Sequence, residues 1–117
     1  MYSSASSRSP IPPASLPDLP ENLLHLSCGY NDCLTFLPKL PKNLIFLDCR
    51  RAQHLASLPK LPNTVELLYC YNNKITHLDN LPIGLKILFC DNNKLTQLDN
   101  LPPGLNELCC VNNKLTH

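Results

Sequence analysis

The sequence predicts a repeat solenoid, in which short parallel strands stack around one narrow core. Two observations carry that prediction. Residues 78–97 read L-D-N-L-P-I-G-L-K-I-L-F-C-D-N-N-K-L-T-Q, and residues 98–117 read L-D-N-L-P-P-G-L-N-E-L-C-C-V-N-N-K-L-T-H. A fixed period near twenty residues marks units that bury a core only by stacking on one another. The other observation is the proline-bearing return of each unit, L-D-N-L-P in the last two and L-P-x-L-P in the first three, where two prolines three apart forbid a regular helix.

The units follow in order. Residues 1–15 are rich in serine and proline and are expected to form a disordered arm. The repeat domain then covers 16–117, divided into repeats 16–36, 37–57, 58–77, 78–97 and 98–117. The first two are one residue longer. The extra residue falls after the asparagine position, in a loop that tolerates insertion.

Within each unit the pattern L-x-x-L-x-C predicts a short strand, as at Leu85, Leu88 and Cys90. Leu88 and Cys90 are two apart and share the inward face, while Ile87 and Phe89 point the other way. Stacked strands form a parallel sheet on the concave side. The proline-bearing returns are expected to run extended or in polyproline II form on the convex side. Leu81 and Leu101 should close the core from there.

Asn31, Asn73, Asn93 and Asn113 occupy one register, where the chain turns off the strand. A buried carboxamide offers donors and an acceptor to turn backbone groups that lack strand partners. These residues are expected to form a structural ladder. Ala52 stands at that register in the second repeat, so an asparagine there is expected to stabilise the fold.

Seven cysteines in 117 residues raise the question of a disulfide scaffold. Their spacing answers it. Cys28, Cys49, Cys70, Cys90 and Cys110 fall once per repeat in the inward register, so they are expected to be reduced core thiols. Cys109 and Cys110 are strand neighbours facing opposite ways, which argues against a shared metal ion.

The formal net charge of +1 favours neither nucleic acid nor an acidic membrane surface. No run approaches the roughly 18 apolar residues of a spanning helix. The first 15 residues lack the apolar segment of a signal peptide, which points to a cytoplasmic protein. No phosphate loop or catalytic triad is recoverable, and no cofactor or metal is expected. Gly84 and Gly104 read as turn residues fixed by the repeat.

The outward strand positions are the candidate functional site. They include Phe46, Asp48 and Arg50; Leu67, Tyr69 and Tyr71; Ile87, Phe89 and Asp91; Glu107 and Val111. Stacking should align Phe46, Leu67 and Ile87 in one column, and Asp48, Tyr69 and Phe89 in the next. Large apolar groups on an open sheet suit a partner protein.

These residues resemble the leucine-rich-repeat family in its short L-P-x type, through L-x-x-L-x-C-x-x-N-x-L, intact from Leu85 to Leu95 and from Leu105 to Leu115. The linkers resemble the repeats of bacterial effectors delivered into host cells, and the cysteine variant resembles arrays encoded by large DNA viruses. The resemblance implies a curved right-handed superhelix whose concave sheet binds other proteins, without enzymatic activity. For an effector it implies the host-cell cytosol. It also implies an alternative: a substrate-recognition fragment of a larger effector or ubiquitin ligase. A structural array without a specific ligand is a further alternative. The last unit stops before the next return, so its edge is expected to be uncapped and open to self-association.

Overall fold

The computed structural model describes residues 2–3, 18–30 and 34–116. Six strands, β1 (Tyr2–Ser3), β2 (His25–Ser27), β3 (Phe46–Asp48), β4 (Leu67–Tyr69), β5 (Ile87–Phe89) and β6 (Glu107–Cys109), lie in one sheet in chain order. Every neighbouring pair is parallel, and His25, Phe46, Leu67, Ile87 and Glu107 stand in one register. Sequential parallel strands with no helix among the described residues make a β-solenoid. Coils 1 to 5 carry β2 to β6 respectively.

Each coil is bounded by two turns that the sequence dictates. Before the strand, a Pro-x-x-apolar turn closes through a backbone bond: Leu44 N donates to Pro41 O at 3.2 Å, Val65 N to Pro62 O at 3.2 Å and Leu85 N to Pro82 O at 3.1 Å. Proline's fixed φ and missing N–H suit that position. After the strand, the backbone takes a left-handed residue, with φ 60° at Asn72, 57° at Asn92 and 56° at Asn112. Asparagine tolerates that conformation better than other residues with a side chain. Three residues of strand are what remains between the two turns.

The core is a set of columns. Leu26, Leu47, Leu68 and Leu88 are fully buried, as are Leu34, Leu55, Ile75 and Leu95 on the far side of the turn. Fully burying one such side chain contributes about 1.5–3 kcal/mol. Cys28, Cys49, Cys70 and Cys90 form a parallel column, and the six described cysteines are unpaired. Leu81 packs half-buried against the core as the pattern requires, whereas Leu101 in coil 5 is exposed. Leu108 and Val111 in coil 5 are exposed as well, and Cys110 is half-buried.

Asn73, Asn93 and Asn113 bind adjacent coils together. Asn93 Nδ2 reaches Cys90 O of its own coil and Cys70 O of the coil before, each at 3.0 Å, and its Oδ1 accepts Ile75 N at 3.0 Å. Asn73 repeats this with Cys70 O and Cys49 O, and Asn113 with Cys110 O and Cys90 O. Asn31 lies outside the described residues.

Two expectations meet the structure at particular residues. Of the arm 1–15, expected to be disordered, the described part is the Tyr2–Ser3 backbone, which pairs with β2, Tyr2 opposite Leu26 and Ser3 opposite Ser27. The first coil exposes a row of backbone donors and acceptors, and an extended segment satisfies them. The rest of the arm lies outside the described residues. The other concerns Ala52, where the sequence left a gap in the ladder. Asn73 already satisfies Cys49 O from the next coil. The inserted residue makes a tight turn about Gln53, at φ 70°, in which His54 N donates to Ala52 O at 2.8 Å. Gln53 N then donates to Asn73 Oδ1 at 3.1 Å. The backbone has re-routed around the gap, and Ala52 is fully buried within it.

Candidate functional site

Alternation along each three-residue strand sends its middle side chain inward and its flanking side chains to the concave face. In β4 and β5 the middle leucines, Leu68 and Leu88, are buried, while Leu67, Tyr69, Ile87 and Phe89 remain partly exposed. Phe46, Arg50, Tyr71 and Asp91 are also half-exposed, and Glu107 and Val111 are exposed. Asp48 differs from its neighbours: it is only 4% exposed. Although it lies in the outward register, opposite Ser27 and Tyr69, Arg50 covers it.

The aromatic side chains do not keep to separate columns. Phe46 packs edge-to-face on Tyr69 across the diagonal, with centroids 5.2 Å apart, and Tyr69 stacks on Phe89 at 4.9 Å and 8°. His25 meets Phe46 edge-on at 6.0 Å. One continuous aromatic row therefore crosses four strands. The diagonal forms because the small, covered Asp48 leaves its column open beside Tyr69, and diagonal neighbours are within reach of aromatic rings. Each such pair contributes about 0.5–1.5 kcal/mol beyond area burial.

A polar cluster adjoins this row at the turn end of coils 1 to 3. Arg50 Nε stands 3.3 Å from Asp48 Oδ2, yet its N–H is not aligned on that oxygen, so charge alone holds the contact. Asp48 Oδ1 accepts Arg50 N at 3.2 Å. Arg50 Nη1 donates to Tyr71 Oη at 2.7 Å. That bond, with Asp48 adding to it, pushes the guanidinium's pKa further up, so Arg50 is cationic throughout the working range. The Arg50 guanidinium also lies 5.7 Å from the Tyr30 ring centroid and 5.8 Å from that of Tyr71, and Arg51 lies 5.5 Å from Tyr30.

The outward strand positions omit Tyr30 and Arg51, because both sit after the strand; the sequence marks Arg51 only as half of a basic pair with Arg50 that could meet an acidic partner. A signal was present: at that register coils 3 to 5 carry asparagine and these two coils do not. Gly29 also has a site-related reason. A Cβ there would overlap the Arg50 carbonyl oxygen, so glycine lets coil 1 close onto the Arg50 backbone.

The cysteine column is chemically quiet. Burial pushes the thiols of Cys28 and Cys90 up to about 12, with nearby acidic or thiol groups adding, and raises Cys49 and Cys70 as well. A thiol so far from ionisation at neutral pH is a poor nucleophile and metal ligand.

Stacked parallel coils, an inward leucine–cysteine column and an asparagine ladder define a leucine-rich-repeat solenoid, and its repeats resemble those of bacterial effectors. The solved leucine-rich-repeat domain of a Shigella effector is similar at 35% identity and a TM-score of 0.79, over 88% of this chain and 46% of that one. YopM from Yersinia enterocolitica is similar at 32% identity and a TM-score of 0.64, over 86% of this chain and 26% of that one. This chain thus spans less than half the length of either. No protein-family model and no curated protein matches it.

Proposed function

We propose that this chain is a non-enzymatic protein-interaction module that binds its partner on the concave face. The observation that carries this reading is the aromatic row from His25 through Phe46 and Tyr69 to Phe89. The core columns lie on the other side of the sheet, so the fold has no internal need for large apolar groups here. Rigid aromatics on an open face are the usual anchors of a partner. Likeness to an effector repeat domain supports the same reading. Because the similar chains are longer, the module also fits the recognition part of a larger effector or ligase. The unpaired cysteines suit a cytosolic setting.

Crosslinking capture from cytosol tests this, comparing the wild type with the Tyr69→Ser, Phe89→Ser double variant. Both side chains are partly exposed, so the variant is expected to fold. A specific partner captured by the wild type and lost in the variant supports the reading. Equal capture by both overturns it. Self-association through the exposed β6 side is a separate proposal, checked by sedimentation of the chain at rising concentration.

A further inference from the structure

Tyr30 and Arg51 break a local rule that the other coils keep. The residue just before the ladder position is left-handed in every coil: φ is 56° at Tyr30, 56° at Arg51, 60° at Asn72, 57° at Asn92 and 56° at Asn112. Asparagine adopts this conformation at little cost, whereas tyrosine and arginine do so against their steric preference. The two residues that break the rule lie in adjacent coils and touch each other, with the Arg51 guanidinium 5.5 Å from the Tyr30 ring. Local preference is given up most often where a side chain is needed for something beyond the fold.

What the exception assembles is a cationic corner. Arg50 and Arg51 both lie against the Tyr30 ring. Asp48 balances one of the two charges, and Arg51 has no ion-pair partner among the described residues. Arg50 is held from two sides, by Asp48 and by the Tyr71 hydroxyl. A guanidinium carries five N–H donors in a planar fork. The Nη2 donors of Arg50 have no acceptor among the described residues, and its side chain is 36% exposed. A fixed, partly exposed fork with unused donors beside a second guanidinium matches a carboxylate.

The rest of the concave face decides what bears that carboxylate. The aromatic row runs on from the corner through Tyr69 and Phe89, and Asp91 and Glu107 lie beyond it. Those two acids repel a polyanion laid along the whole face, which disfavours nucleic acid. They suit a segment that is acidic at one end only. Given the reading that the concave face binds protein, we infer that this corner receives an Asp or Glu side chain of an extended partner segment whose apolar residues lie along Phe46, Tyr69 and Phe89. The acidic end sits over coils 1 and 2, and the neutral or basic end over coils 4 and 5.

Random peptide display on the purified 117-residue chain, followed by anisotropy titration of the enriched peptides, tests this. Enriched peptides should place Asp or Glu beside Phe, Tyr or Leu. Replacing that acid by its amide should weaken binding roughly tenfold or more, as expected for a hydrogen bond to a charged group. Arg51→Gln should erase most of the difference between acid and amide peptides. So should Asp48→Asn with Arg50→Gln, a pairing that leaves no buried carboxylate without its cation. Peptides that need Tyr69 and Phe89 but bind equally as acid and amide would overturn the acidic-partner inference and leave the concave-face reading standing. No enrichment over the Tyr69→Ser, Phe89→Ser variant would overturn both. Tighter binding of a single-stranded oligonucleotide than of any peptide would overturn the inference in favour of a polyanion.

Discussion

Coils 3 to 5 and coils 1 to 2 build the same circuit under different constraints. In coils 3 to 5 each local demand is met by the residue best suited to it. Asparagine takes the left-handed position, a second asparagine binds the neighbouring coil, and twenty residues close the loop. Coils 1 and 2 keep the buried leucines and cysteines, but both insert a residue, coil 2 replaces the ladder asparagine with Ala52, and they hold Tyr30 and Arg51 in a conformation that suits neither. The irregular half also carries the Arg50 cluster, so the departures from good local chemistry gather beside the candidate binding face.

Alkali should produce the largest effect, and it tests what the two halves share. The thiols of Cys28, Cys49, Cys70 and Cys90 are raised in the folded chain. Above the unfolded thiol's pKa, near 9, the unfolded state binds fewer protons than the native state, so stability must fall as pH rises. The stabilisation is complete below pH 9 and is lost progressively toward about 12, the value reached by Cys28 and Cys90. By pH 10.5 each of these two thiols should cost about 2 kcal/mol. Denaturant melts from pH 8 to 11 should show one transition moving down as a unit. Two separating transitions would show that the halves do not share one cooperative core.

Asn93→Ala comes next. It removes a nearly buried carboxamide that joins coils 3 and 4, leaves Ile75 N without an acceptor, and takes one donor each from Cys70 O and Cys90 O, which keep Asn73 and Asn113. The orphaned N–H costs about 1–3 kcal/mol and each lost carbonyl bond about 0.5–1.5 kcal/mol, so a loss of roughly 3 kcal/mol in a urea melt is expected. Asn113→Ala, at the more exposed coil 5, should cost less. Equal losses would contradict the dependence on burial.

The smallest expected effect is that of Ala52→Asn. From the sequence an asparagine should repair the ladder there. With the turn re-routed about Gln53 and Cys49 O already taken by Asn73, the carboxamide meets a filled site. Its one hydrogen-bond gain, about 1 kcal/mol, is set against overpacking of similar size, so the net change should lie near zero. A clear stabilisation in the same melt would show that the gap is real.

The sequence made the fold legible because its cause is periodic. Leucine, cysteine and asparagine recur at fixed spacing, and a solenoid gives equivalent positions equivalent surroundings. The site was legible only as a face. Phe46, Tyr69 and Phe89 follow from alternation, but the diagonal contact between Phe46 and Tyr69 depends on how Asp48 is covered. Asp48 was expected to be an outward contact residue and lies under Arg50, because side-chain direction beyond the strand is set by neighbouring coils and not by register. Tyr30 escaped notice, and Arg51 was legible only as half of a basic pair, because the first asparagine of each N-N pair has its own backbone role, which shows only in its φ.

Arg51→Asn tests the contrast between the two halves most directly, through stability and binding measured on the same protein. Asparagine belongs at this left-handed position in coils 3 to 5. The change should therefore stabilise the fold by about 0.5–1 kcal/mol, the relief of backbone strain less a surface cation–π contact. It should also weaken the preference for acidic over amide peptides. Opposite signs in the two readouts are the predicted result. A variant that is less stable, or one that binds acidic peptides as well as the wild type, would contradict the claim that Arg51 is held at a cost to the fold for the sake of a partner.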